Sequence, residues 1–110
     1  MDMVAQGMEW SIREQYDQAV ALFTQYAMND PRDPAPHFFL ATVWQSKMMD
    51  FETKEWRHLF MREIDKTMEL CDSLLIHQPH DNAIRFYYAS ALAYKSFQIS
   101  REGKIIKGFS

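Results

Sequence analysis

Between Gly7 and Gly103 the chain has no glycine, and three of its four prolines fall within six residues, at Pro31, Pro34 and Pro36. These two facts constrain the fold more than any other feature. Without glycine, the left-handed backbone that tight two-residue hairpins need is costly, and no Asn-Gly or Asp-Gly pair occurs. The β-branched residues are scattered rather than alternating in runs. Proline stops a helix from continuing, yet is tolerated in a helix's first turn, where the amides have no helical partner. The chain therefore reads as all-α, with uninterrupted helices separated by abrupt breaks.

The spacing of apolar residues predicts five helices. Over residues 2–13, Val4, Met8 and Ile12 recur four apart with Trp10 beside them, and the polar Arg13, Glu14 and Gln15 end the run. Residues 16–29 repeat Ala19, Leu22, Phe23 and Tyr26 until "NDPRDP" stops them, because a proline disfavours helical geometry in the residue before it. A third helix restarts at Pro34–Pro36 and runs to about Met49. After a break at "DFET", where Thr53 is a plausible cap, residues 54–77 hold no breaker. There Trp56, Phe60, Ile64, Thr67, Met68, Cys71, Leu74 and Leu75 form one stripe, while Arg57, Arg62, Asp65, Glu69 and Asp72 lie mostly off it. That pattern is an amphipathic helix about 36 Å long. Pro79 ends it, Asp81 or Asn82 caps a fifth helix reaching about Phe97, and a further element is expected to begin within "SREGKIIKGFS".

With Pro31 set over Pro79, at an offset of 48, two segments align without gaps. Leu22 meets Leu70, Asp33 meets Asp81, Ala35 meets Ala83, Phe38 meets Phe86 and Ala41 meets Ala89, with Phe39 over Tyr87 and Leu40 over Tyr88. Because the loop Pro and Asp come into register along with the apolar positions, this is an internal repeat of helix, Pro-containing turn and helix. Gly7, Trp10, Ala19, Phe23 and Pro31 resemble the pattern of the tetratricopeptide repeat family at its spacing, and Leu40, Ala41 and Trp44 open a second unit. Tyr88, Ala89 and Leu92 look like a third, with Gly103, Ile105 and Gly108 starting its second helix. The offset of 48 exceeds the family's usual spacing of about 34, so the middle repeat is elongated, within "SKMMDFETKEWRHLF".

The resemblance implies one domain of antiparallel helical hairpins stacked in a right-handed solenoid, with units of about 1–33, 34–81 and an incomplete 82–110. Stacking buries residues that a single pair cannot, and the small Gly7, Ala19, Ala41 and Ala89 are expected to let helices approach closely. Residues 38–44 and 86–94 are apolar nearly all round, as for helices sandwiched between others. The unfinished last unit is expected to leave apolar surface at its end, covered by further chain or by another copy. In the family the first helix of each pair lines a concave groove, so Phe38, Phe39, Thr42 and Gln45, then Phe86, Tyr87, Ser90 and Tyr94, are the implied partner-binding residues. Family members that grip a peptide's terminal carboxylate use Lys, Arg and Asn at groove positions; Val4, Met8, Phe39, Ala83 and Tyr87 stand there instead, which implies an apolar, aromatic-lined groove.

Composition narrows the function further. A chain of 110 residues that is 47% hydrophobic and 15% aromatic packs a core rather than remaining disordered. Its net charge is −3 with no basic patch, which argues against a nucleic-acid partner. Cys71 is alone, so neither an internal disulfide nor a cysteine-rich zinc site is expected. "MDMVAQGMEW" lacks the continuous apolar stretch of a signal peptide, and no run is long enough for a membrane span. These features leave the compartment open.

Candidate chemistry is sparse. His77 and His80, with Asp81 and His37, have the residue types of a metal site, but Pro79 separates the pair at a helix end and they read as loop histidines. Cys71 falls in an apolar stripe, the setting of a core thiol. Glu55 and His58 have the spacing of one half of a di-iron motif, which occurs once; the other acids, Asp50, Glu52, Glu63, Asp65 and Glu69, read as solvated faces. The eight methionines read mostly as core fillers. No catalytic residue, metal or cofactor is expected. The function implied is a non-catalytic scaffold that binds a peptide or helix in a concave groove. The alternative is a self-associating helical assembly that uses Met48, Met49, Phe51, Trp56 and Phe60 of the inserted stretch, and a metal- or small-molecule-binding bundle ranks last.

Overall fold

The computed structural model describes residues 3–12 and 15–108, with side chains described for 3–8 and 15–103. The described residues are all-helical: α1 (Met3–Ile12), α2 (Tyr16–Asn29), α3 (Ala35–Asp50), α4 (Arg57–His77) and α5 (Asn82–Gly108). The side chain of Trp10, and Arg13 and Glu14 in the first break, lie outside the described residues.

The repeat reappears as a repeated turn. Asp30 (φ −138°, ψ 77°) and Gln78 (φ −134°, ψ 64°) end α2 and α4 in almost the same conformation. Each donates its N–H to the carbonyl four residues back, on Tyr26 and Leu74, and each accepts the N–H three residues on, from Asp33 and Asp81. The two aspartates then do similar work one position apart: Asp33 Oδ1 accepts the N–H two residues on, of Ala35, at 2.9 Å, and Asp81 Oδ1 the N–H three residues on, of Ile84, at 3.1 Å. Each carboxylate thus satisfies an amide that the first helical turn leaves unpaired. The remaining break, between α3 and α4, closes differently. Glu52, at φ 51°, takes the left-handed position a glycine would normally fill, with Glu52 N–H bonded to Met49 O and Thr53 N–H to Met48 O. Thr53 does not cap α4; its hydroxyl accepts the Glu55 N–H in the turn before the helix begins.

The elongation of the middle unit sits at the closed end of the α3–α4 hairpin. Counted from the matching turns, α3 runs further toward its C-terminus and α4 starts earlier, giving 16 and 21 residues against 10 and 14 in α1 and α2. One expectation fails outright. The chain does not break near Phe97 to start a second helix at Gly103; α5 continues for 27 residues, about 40 Å. No proline interrupts it, and its second half is tied down: Gln98 accepts from Gln45 of α3 at 3.3 Å, and Glu102 accepts from Arg57 of α4 at 2.6 Å.

Each helix packs chiefly against its neighbours in the chain; α3 also touches α1 and α5, whereas α2 and α4 do not approach each other. The molecule measures 47 × 29 × 18 Å, and its thin dimension is that of two packed helix layers. Its radius of gyration is 14.5 Å, against about 13 Å for a compact globule of this length. Two apolar clusters fill the slab. Tyr16, Ala19, Phe23, Leu40 and Val43 join α2 to α3, and Phe38, Ala41, Met48, Phe60, Ile64 and Ala91 join α3, α4 and α5. Phe39 packs against both. A Cβ at Gly7 would overlap the ring of the fully buried Phe23, so only glycine lets α1 come this close to α2. Ala19 and Ala41 are fully buried as expected, but Ala89 is exposed and Ala91 takes the buried place in α5.

Candidate functional site

One side of α3 and α5 gathers aromatic side chains that the core does not fully consume. On α3, Phe39, Thr42, Ser46 and Met49 recur three or four residues apart, on one face of the helix, and all are partly or well exposed. On α5, Tyr87, Ser90 and Tyr94 do the same. A ring network links the two helices. Phe38 meets Phe39, Tyr87 and Tyr94 edge-on at 5.6, 5.8 and 5.3 Å, Phe39 stacks on Phe23 at 5.5 Å, and Phe86 reaches Tyr87 at 5.7 Å. Edge-to-face contacts of this kind orient rings as well as burying them. The hydroxyls of Tyr87 and Tyr94 make no hydrogen bond among the described residues. Burial, and then the charge of Asp33, raise the Tyr87 phenol above its ordinary range, so it stays a neutral donor at physiological pH.

The eight residues named from the sequence divide accordingly. Phe39, Thr42, Tyr87, Ser90 and Tyr94 share this face, although the Thr42 hydroxyl is already used, donating to the Phe39 carbonyl at 2.7 Å. Phe38 and Gln45 are not available as a lining. Phe38 is the hub of the ring network, and Gln45 is buried, with its amide spent on Gln98. Phe86 is 63% exposed but lies toward the outer side of α5, away from α3. Ser46, and Met49 that was named only for self-association, also lie on this face, continuing the three-and-four spacing of Phe39 and Thr42. Of the inserted stretch, Met48 and Phe60 are core, while Met49 and Phe51 are exposed and Phe51 leans on Trp56. Lys47 lies over the Trp56 ring at 4.2 Å, a cation–π contact that steadies the hairpin tip.

At that tip the long hairpin and the long α5 enclose a cleft of about 380 Å³, whose walls include Met48, Thr53, Lys54, Gln98 and Arg101. Lys54 and Arg101 have no charged partner among the described residues, while Glu102 beside them is neutralised by Arg57. The other candidate groups are structural or isolated. His37 Nδ1 lies 2.7 Å from a carboxylate oxygen of the buried Glu63, and His77 and His80 are exposed at the end of α4. Cys71 is fully buried, and burial pushes its thiol up to about 11, far from nucleophilic at neutral pH. No helix among the described residues is long and apolar enough to cross a membrane. Comparison with protein-family models, with curated proteins and with solved structures finds no match to this chain.

Proposed function

We propose that this chain is a non-catalytic protein-interaction module of the tetratricopeptide-repeat kind. Its hairpins stack as a right-handed solenoid, and the side shared by α1, α3 and α5 receives a peptide or a short helix. The observation that carries this reading is the pair of free tyrosine hydroxyls, Tyr87 and Tyr94, on an aromatic face beside Phe39, Ser46 and Met49. Such a face offers wide apolar contact, held rigid by the rings behind it, with hydrogen-bond donors at its edge. The repeated turn, the Gly7–Phe23 contact and the succession of α1, α3 and α5 support the repeat assignment. A carboxylate clamp is not part of the proposal, because Val4, Met8, Phe39 and Tyr87 bring no cation to this side.

The test is a selection of peptides from a display library on the folded chain, followed by affinity measurement with Tyr94→Ala and Tyr87→Phe. Tyr94→Ala removes one half-exposed ring at the edge of Phe38 and Tyr87→Phe only a hydroxyl, so circular dichroism should show the helices intact. Selected peptides should bind Tyr94→Ala at least about tenfold more weakly, as for loss of a modest aromatic anchor. Undiminished binding to both variants would remove this face as the site.

A further inference from the structure

The outer side of α5 carries a run of exposed apolar side chains. Phe86 is 63% exposed, Leu92 47%, Phe97 51% and Ile99 50%, with Ala89 and Ala93 exposed between them. From Phe86 to Ser100 the only charged residue is Lys95, and it turns back to α4, where it meets Asp65 at 2.9 Å. At about 100° per residue, Phe86, Ala89, Ala93, Phe97 and Ser100 project along one line, opposite the buried Ile84, Ala91 and Gln98. Contiguous uncharged apolar surface of this kind marks a contact site rather than a solvated face.

We propose that this face is a homotypic interface, in which two copies of the chain pair their α5 helices antiparallel about a two-fold axis at Ala93. The order of side chains selects the occupant. When a copy is turned about Ala93, Phe86 comes opposite Ser100, Ala89 opposite Phe97, and Ala93 opposite itself. Every bulky ring then meets a small side chain, so the helices interdigitate and approach closely at their centre. Parallel pairing would set Phe86 on Phe86 and Ala89 on Ala89, with rings colliding and gaps between them. The electrostatics agree: a copy of this face brings no charge that would lose water without a partner. Arg85 and Arg101, at the two ends, leave the line on opposite flanks. Leu92 and Ile99 widen the contact on the α4 side. Phe86 borders Tyr87, but Ala93 and Phe97 lie away from the aromatic side that carries Tyr87 and Tyr94, so the two proposals are tested apart.

Ala93 gives the deciding experiment, because a charge there would face its own copy across the two-fold axis. Sedimentation equilibrium over a wide concentration range should show the wild-type chain passing from monomer to dimer. Ala93→Glu and Ala93→Lys should each remain monomeric with unchanged helical content, their dimerisation weakened at least about 100-fold by like charges brought together. Mixed in equal amounts, the two variants should pair with each other. A wild-type chain that is monomeric throughout overturns the proposal, as does a dimer that survives in both variants or a mixture that stays monomeric. Peptides selected on the Tyr94 face should bind Ala93→Glu normally, which separates failure here from failure of the proposed function.

Discussion

Phe38 and Phe86 stand 48 residues apart at matching positions of the repeat, yet Phe38 is 6% exposed and Phe86 63%. The local sequence around them is alike, and both open a helix that follows the same turn, with the matching aspartate bonded to a first-turn amide. Their surroundings differ. Helix α3 has α2 and α4 as main neighbours, with α1 and α5 beside it; α5 has α4 and the edge of α3, and its far side faces outward. Only the neighbours convert an apolar side chain into a buried one, and a repeat that writes the same residues twice receives two different energies for them.

The largest expected effect tests that difference directly. Phe38→Ala should cost about 3–5 kcal/mol, since it deletes the hub on which Phe39, Tyr87 and Tyr94 rest and leaves a cavity between α3 and α5. Phe86→Ala should stay within about 0.5 kcal/mol when the chain is dilute, as for an exposed side chain. Denaturant unfolding of the two variants, at low concentration so that association does not contribute, measures both. Similar losses would mean that Phe86 is covered in the isolated chain.

Much of the architecture was legible before any coordinates. The absence of glycine and the grouping of prolines pointed to an all-helical chain, and the residues on either side of both Pro-containing breaks were placed to within one or two positions. The offset of 48 was legible too, because the repeated turn is built from the Pro and Asp that first aligned. What was not legible depended on contacts between distant helices. Near Phe97 the sequence carries no sign that α5 continues, since the groups that hold its second half, Gln45 and Arg57, lie about 50 positions earlier. In the candidate site, the resemblance named residues of α3 and α5, and of these Phe39, Thr42, Tyr87, Ser90 and Tyr94 share one side of the two helices. It could not separate them from Phe38 and Gln45, because a resemblance indicates which helix lines a groove and not which of its residues the next helix consumes. Ala89 and Ala91 show the same limit: both are small, and only α4 decides which one is buried.

Glycine offers a second comparison between packed and open regions, with opposite signs. Gly7→Ala forces a methyl group into the Phe23 ring and should destabilise the fold by about 1–3 kcal/mol, despite the better helix propensity of alanine. Gly103→Ala meets nothing within 4 Å. There the propensity gain should appear unopposed, as a stabilisation of up to about 1 kcal/mol. Thermal unfolding with both variants checks the pair, and a loss at position 103 would show that something packs against that turn of α5.

The two capping aspartates give the smallest and most discriminating difference. Asp33 and Asp81 each accept one first-turn amide, that of Ala35 and that of Ile84, so substitution of either with alanine leaves one amide without its partner, at about 1 kcal/mol. Asp33 has a second task, because its other oxygen accepts the Tyr26 hydroxyl at 2.7 Å, the bond that chiefly raises the Tyr26 phenol above its usual range. Asp33→Ala should therefore cost about 1 kcal/mol more than Asp81→Ala, the net value of one further, partly exposed hydrogen bond. Tyr26→Phe isolates that excess: in its presence the two aspartate substitutions should become equal. If Asp33→Ala remains the costlier of the two, the difference comes from position, with the α2–α3 turn held by packing on both sides and the α4–α5 turn on one. The matched turns would then differ for the same reason as the matched phenylalanines.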